Sequence, residues 1–150
     1  MKLVLTIPDS WVVRTQGEQQ VAGVSPDLVL AWGWLVPFPD QPAVWVQRAM
    51  HADVTAPAMV TAGAAETRAT RDGWTLKLLE AEVSLAGALA EYRLGAFYQF
   101  LEYGAVALVR ARHREALDAV RPQLIDVLET GRPDWQADRL PVSLHDLFVS

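Results

Sequence analysis

The stretch from Tyr92 to Arg112 constrains the fold more than any other. Tyr92, Leu94, Ala96, Tyr98 and Phe100 alternate with Arg93, Gly95, Phe97, Gln99 and Leu101. Successive side chains of a strand point to opposite faces, so this spacing gives one almost wholly apolar face. Glu102-Tyr103-Gly104 reads as a turn, with Gly104 able to take positive φ. A two-residue turn at Tyr103-Gly104 would pair Phe100 with Ala107, Tyr98 with Val109 and Ala96 with Ala111. Large residues then meet small ones, as a packed layer requires. The opposite face carries Phe97, Leu101, Val106 and Leu108, with Arg93, Arg110 and Arg112 at its far end. Two partly apolar faces predict a central hairpin covered on both sides.

After Arg112 the period changes. Val120, Leu124, Val127 and Leu128 fall at helical spacing. Pro122 opposes a helix running from Arg114, so the expected start is near Ala119, with Asp118 as cap and Pro122 in the first turn. Gly131 and Pro133 end it. A hairpin followed by one amphipathic helix places that helix on the sheet.

Upstream, Lys2 to Ile7 reads as a strand, and Pro8-Asp9-Ser10 as a turn returning Trp11 and Val12-Val13 to the body. Thr15 to Gln20 reads as a polar loop and Val21 to Val24 as a short strand. Leu28, Leu30, Trp32, Trp34 and Val36 alternate with Val29, Ala31, Gly33 and Leu35, which predicts a buried strand with Trp32 and Trp34 on one face. Asp40 is an N-cap candidate for a helix from Pro42 to about Ala52. Asp53 to Gly63 reads as a linker with a short edge strand at Ala58 to Thr61. Ala64 to Thr70 and Trp74 to Val83 form a hairpin around Asp72-Gly73, pairing Ala69 with Leu76. Ser84 to Ala90 is a small-residue loop. Arg132 to Arg139 reads as a loop anchored by Trp135, and Ser143 to Asp146 has capping-box character. The expected class is α+β: a single domain over 1–150, a mostly antiparallel sheet with helices packed on its faces.

This order resembles the PsbP-like fold family. The likeness rests on the strand ending in Ile7-Pro8-Asp9-Ser10-Trp11, the helix near Pro42 to Ala52, the strand pair from Tyr92 to Arg112 and the helix through Leu128. The Trp32-Gly33-Trp34 strand and the tail after Gly131 have no counterpart in it. The family includes photosystem extrinsic subunits, a Ran-binding import factor and bacterial chaperones of type VI secretion effectors. The resemblance implies a PsbP-like sandwich that binds another protein, and it transfers no catalytic residue.

Composition narrows the chemistry. The 150 residues contain no cysteine, so disulfides, thiolate metal sites and a cysteine nucleophile are excluded. A net charge of −5 argues against general nucleic-acid binding, which wants a basic face. The apolar start is too short for a signal peptide, and no stretch approaches a membrane span. With its Ala, Val, Leu and Arg bias, the chain reads as bacterial and cytoplasmic.

His51, His113 and His145 lie far apart, with no metal-ligand spacing between any two. Glu80 and Glu82 share a strand face and offer a carboxylate pair for acid–base work. The plainer reading is two solvated carboxylates near a strand end. Arg93, Arg110, Arg112 and Arg114 form a basic cluster, able to hold an acidic partner segment or to pair with Glu91, Glu115 and Asp118. Six tryptophans are many for this length. An apolar groove lined by Trp32, Trp34, Phe97 or Leu101, with Arg93, Arg110 and Arg112 beside it, would suit a partner. Plain core is the competing account. No nucleophile triad, phosphate loop or dinucleotide turn is present.

The expectation is therefore a non-catalytic protein-binding module, an adaptor or chaperone, without cofactor or metal. Its partner would be another protein, such as a secreted effector, or a second copy of itself. The alternative is a small apolar ligand-binding or enzymatic α+β domain, which an enclosed cavity with convergent polar groups would favour.

Overall fold

A computed structural model describes residues 1–37, 42–54 and 58–134. The strands are β1 (Lys2–Val4), β2 (Val12–Gln16), β3 (Gln19–Ser25), β4 (Leu28–Trp32), β5 (Val36–Pro37), β6 (Ala58–Ala62), β7 (Glu66–Ala69), β8 (Thr75–Leu85), β9 (Ala88–Phe100), β10 (Tyr103–Ala111) and β11 (Arg132–Asp134). The helices are α1 (Pro42–Met50) and α2 (Arg114–Glu129). The class is α+β, with every strand pairing among the described residues antiparallel. The main sheet runs β2-β3-β4-β10-β9-β8-β6, with β5 continuing beside β10 and β7 beside β8.

The β9–β10 hairpin is central, but its turn is not where the glycine suggested. Tyr103 pairs with Phe100, Ala107 with Ala96 and Val109 with Leu94, so Leu101 and Glu102 make the turn. Leu101 takes positive φ (55°), a conformation that costs a leucine about 1–2 kcal/mol. The shift lifts Tyr103 out of the turn and buries it, and full burial of a large apolar side chain contributes about 1.5–3 kcal/mol. The displacement is an even number of residues, so both faces keep their expected side chains.

Two layers cover the sheet. On one face, α2, β1 and β11 close a core around Leu30, Trp32, Leu76, Leu94, Tyr98 and Phe100. On the other, α1 lies over Phe97, Leu79 and Ala81 through Val46 and Met50. Gly95 floors this contact: a Cβ there would stand 2.7 Å from Met50 Cε and 3.3 Å from Val46 Cγ1.

Helix α2 starts five residues before the expected Ala119. His113 is its N-cap, accepting from the Ala116 amide at 3.3 Å through Nδ1. Pro122 sits inside the helix at an exposed position, where water can satisfy the carbonyl it leaves without a donor. An interior proline costs roughly 3 kcal/mol. Burying Leu117, Leu124, Val127 and Leu128 offsets it, at about 1.5–3 kcal/mol each.

Other local readings change. Thr15 to Gln20 is no loop: Val12–Gln16 and Gln19–Ser25 form a hairpin turning at Gly17-Glu18, with Gly17 at φ 61°. Trp11 is buried as expected, but Val12 and Val13 are exposed. Arg132–Asp134 is a strand paired with β1, not a loop. Ser84 to Ala90 is the tip of the β8–β9 hairpin, turning at Ala86-Gly87 with both residues at positive φ, the type I′ signature. Arg68, not Ala69, faces Leu76, a one-residue slip from the expected register. It arises because the turn takes three residues, Arg71-Asp72-Gly73, with the Thr70 amide donating to the Trp74 carbonyl at 2.7 Å and Gly73 at φ 84°. Separately, β6 and β7 run along the same edge of β8 with one extra residue between them, a β-bulge. The expected Asp40 cap, the Trp135 anchor and the Ser143 to Asp146 turn lie outside the described residues.

Candidate functional site

The expected aromatic groove is not assembled. Trp32 and Phe97 are both buried, but on opposite faces of the sheet. Trp34 does not follow Trp32 inward. The track of β4 along β10 gains one residue before β5, and through that slip Leu35 turns into the core while Trp34 is left 39% exposed. Lys2 Nζ lies over the Trp34 ring, 5.1 Å from its centroid. Leu101 is 62% exposed at the hairpin tip, apart from all three.

The arginines separate as well. Arg93 and Arg110 face each other across β9 and β10, and both pair with Glu91. Arg93 is only 2% exposed, and its Nη1 donates to the carbonyls of Met50, at 2.9 Å, and Ala52. It ties the end of α1 to the sheet, so its role is structural. Arg112 is exposed beside Asp27, and Arg114 pairs with Asp118 across one helical turn. The reading of this cluster as internally paired is the one the geometry supports.

Glu80 and Glu82 each have a fixed partner rather than each other. Glu80 pairs with Arg121, and Glu82 accepts from the Tyr92 hydroxyl. That hydrogen bond, then desolvation, holds the Tyr92 phenol above its ordinary range. His51 is exposed, His113 caps α2, and His145 lies outside the described residues. Among the described residues no group of three or more His, Asp or Glu is placed to hold a metal ion.

What the sheet does leave open is elsewhere. Helix α1 packs on β9, β10 and β8. On the same face, register places Val12, Gly23, Val29 and Arg110 in one row across β2, β3, β4 and β10. Paired residues of antiparallel strands share a face. Val12 is 74% and Val29 38% exposed. Gly23 between them carries no side chain, so the row forms a shallow apolar trough. Its rim is β2, the end strand of the sheet, whose five residues are all exposed. The run Val12-Val13-Arg14-Thr15-Gln16, then Gly17-Glu18, carried the hairpin signal for this site. The polarity of Thr15 to Gln20 concealed it.

Depressions are also present among the described residues. One of about 200 Å³ lies between α1 and the bulge, lined by Val46, Gln47, Gly63, Lys77 and Leu79 among others. Another, about 370 Å³, adjoins Trp34, Lys2, Thr15 and Gln20. A third, about 250 Å³ and wide open to solvent, lies beside Glu80, Glu82, Tyr92 and Arg114.

The chain is similar to the solution structure of cyanobacterial PsbP from Synechocystis sp. PCC 6803, with a TM-score of 0.62 at 14% identity over 85% of this chain and 84% of that one. The chain has a PsbP-like fold. A second similar structure is PA94 from Pseudomonas aeruginosa, a protein of unknown function described as a putative regulator, with a TM-score of 0.49 at 14% identity over 89% of this chain and 98% of that one. No family model and no curated protein matches the sequence. No helix of the described residues is long and apolar enough to cross a membrane.

Proposed function

We propose that this PsbP-like chain is a non-catalytic protein-binding module, an adaptor or chaperone of a bacterial cytoplasmic system, and that it binds through the exposed row Val12, Gly23 and Val29 and the strand β2 beside it. The observation that carries this reading is the exposed row Val12, Gly23 and Val29 beside the bare strand β2. Apolar side chains left together on a sheet face are a cost in water unless a partner covers them. Trp34 and Leu101 are further exposed apolar positions open to a partner, whereas Trp32, Phe97 and Arg93 belong to the core. Glu80 is held in an ion pair, Glu82 accepts from the Tyr92 hydroxyl and His113 caps α2, which supports a binding role over acid–base chemistry. The acidic net charge favours protein over nucleic acid as the partner.

The test is affinity purification from the native cell with the parent chain and with a Val12→Asp, Val29→Asp double variant. The variant should melt within a few degrees of the parent, because both positions are exposed, and should lose the co-purifying protein. A folded variant that retains the same partner contradicts this surface.

A further inference from the structure

Resting on that reading, we infer that β2 is a strand-addition site for an extended acidic segment of another protein, with a carboxylate placed opposite Arg14. The two ends of the main sheet are built differently. At one end, the β6–β7 edge is broken by the bulge, and its Arg68 is held by Glu66 at 2.8 Å and by Glu129 of α2 at 2.9 Å. Bulges and tethered charges are the usual devices that keep a foreign strand from pairing. At the other end, β2 is regular, with five residues in unbroken register on β3. Among the described residues no strand lies on its outer side. Alternate N–H and C=O groups of β2 therefore point outward as an open ladder.

The side chains indicate what that ladder accepts. Val12, Val13 and Thr15 are β-branched and favour a pleated neighbour. Arg14 stands at the centre, and no carboxylate among the described residues pairs with it. A second copy pairing over the whole of β2 would set Arg14 against its own image, and like charges directly opposite are destabilising. A strand carrying Asp or Glu at that position turns the same residue into an attraction. Strand addition takes its affinity from main-chain hydrogen bonds and its specificity from alternate side chains. The favoured partner thus has an acidic centre flanked by β-branched residues.

The experiment is selection from a displayed library of random heptapeptides, on the parent chain and on Arg14→Glu. The parent should enrich peptides with a central Asp or Glu. Binding of those peptides should fall at least about threefold in Arg14→Glu, in line with one cross-strand charge pair reversed. Reselection on the variant should move the centre to Lys or Arg. Hydrogen exchange of the complex should show protection gained within Val12–Gln16. Absence of enrichment, or peptides indifferent to Arg14→Glu, overturns the inference. Peptides that protect β4 and are lost on Val29→Asp, while β2 exchanges freely, overturn strand addition and leave the binding-module reading standing. A concentration-dependent dimer with β2 protected makes the occupant a second copy and overturns the acidic partner.

Discussion

The Tyr98 hydroxyl donates a 2.6 Å hydrogen bond to the main-chain carbonyl of Leu128, in the last turn of α2. Tyr98 is fully buried near the C-terminal end of β9, an interior strand, so this bond fastens the helix end to the sheet. The same carbonyl accepts from the Gly131 amide at 3.1 Å. Tyr98→Phe therefore removes one bond without orphaning the acceptor. The expected loss is about 1 kcal/mol in denaturant unfolding, with an unchanged m-value.

The glycines beside the two helices should rank in a definite order. A Cβ at Gly131 would stand 2.2 Å from the Tyr98 ring, which is held in place by its hydroxyl and by core on every side. Gly131→Ala should cost about 3 kcal/mol, the upper part of the usual overpacking range. At Gly95 the nearest atom is the free end of Met50, which can swing away. Gly95→Ala should cost about 1 kcal/mol, and Gly95→Val more, because Val46 must then move as well. Thermal melts of the three variants check the order.

Alkaline pH should weaken the fold through Tyr98. Burial, and then the Glu129 carboxylate, push its phenol well above the ordinary value near 10. The folded state keeps the proton where the unfolded state releases it. The contribution is therefore complete below the unfolded value and is lost as pH rises above it. Stability measured between pH 9 and 11 should fall, and Tyr98→Phe should flatten that fall.

Arg93 should behave as a core residue. Removing it leaves the carbonyls of Met50 and Ala52 without that donor and weakens the hold on Glu91, which keeps Arg110. Breaking a buried pair from one side costs about 3–5 kcal/mol, and the retained Arg110 places Arg93→Leu near the lower figure. Hydrogen exchange should show α1 loosening before β9.

The main features of the fold were legible because they are written as periodicity. The alternation from Tyr92 to Arg112 specified both faces of the central hairpin even though its turn lies two residues earlier in the chain and the return strand pairs four residues out of the expected register. Burial of Tyr103 outweighed the glycine signal. The start of α2 was obscured by Pro122, since sequence alone does not show that an interior proline faces solvent. The site was legible only in part. Trp34 and Trp32 have the same parity, and the one-residue slip that parts them is a tertiary event with no local signature beyond Gly33. Val29 was read as buried because its strand is apolar throughout. Its 38% exposure depends on which elements pack over it, and a strand's own sequence does not carry that.

The account turns on which half of the sheet meets a partner. Hydrogen–deuterium exchange of the chain alone and with its co-purified partner measures this directly. Protection gained over β2, β3 and β4, with α1 and the β6–β7 edge unchanged, is the predicted result. Protection confined to α1, to the β6–β7 edge or to the Leu101 turn, with Val12–Gln16 exchanging as freely as before, would contradict it.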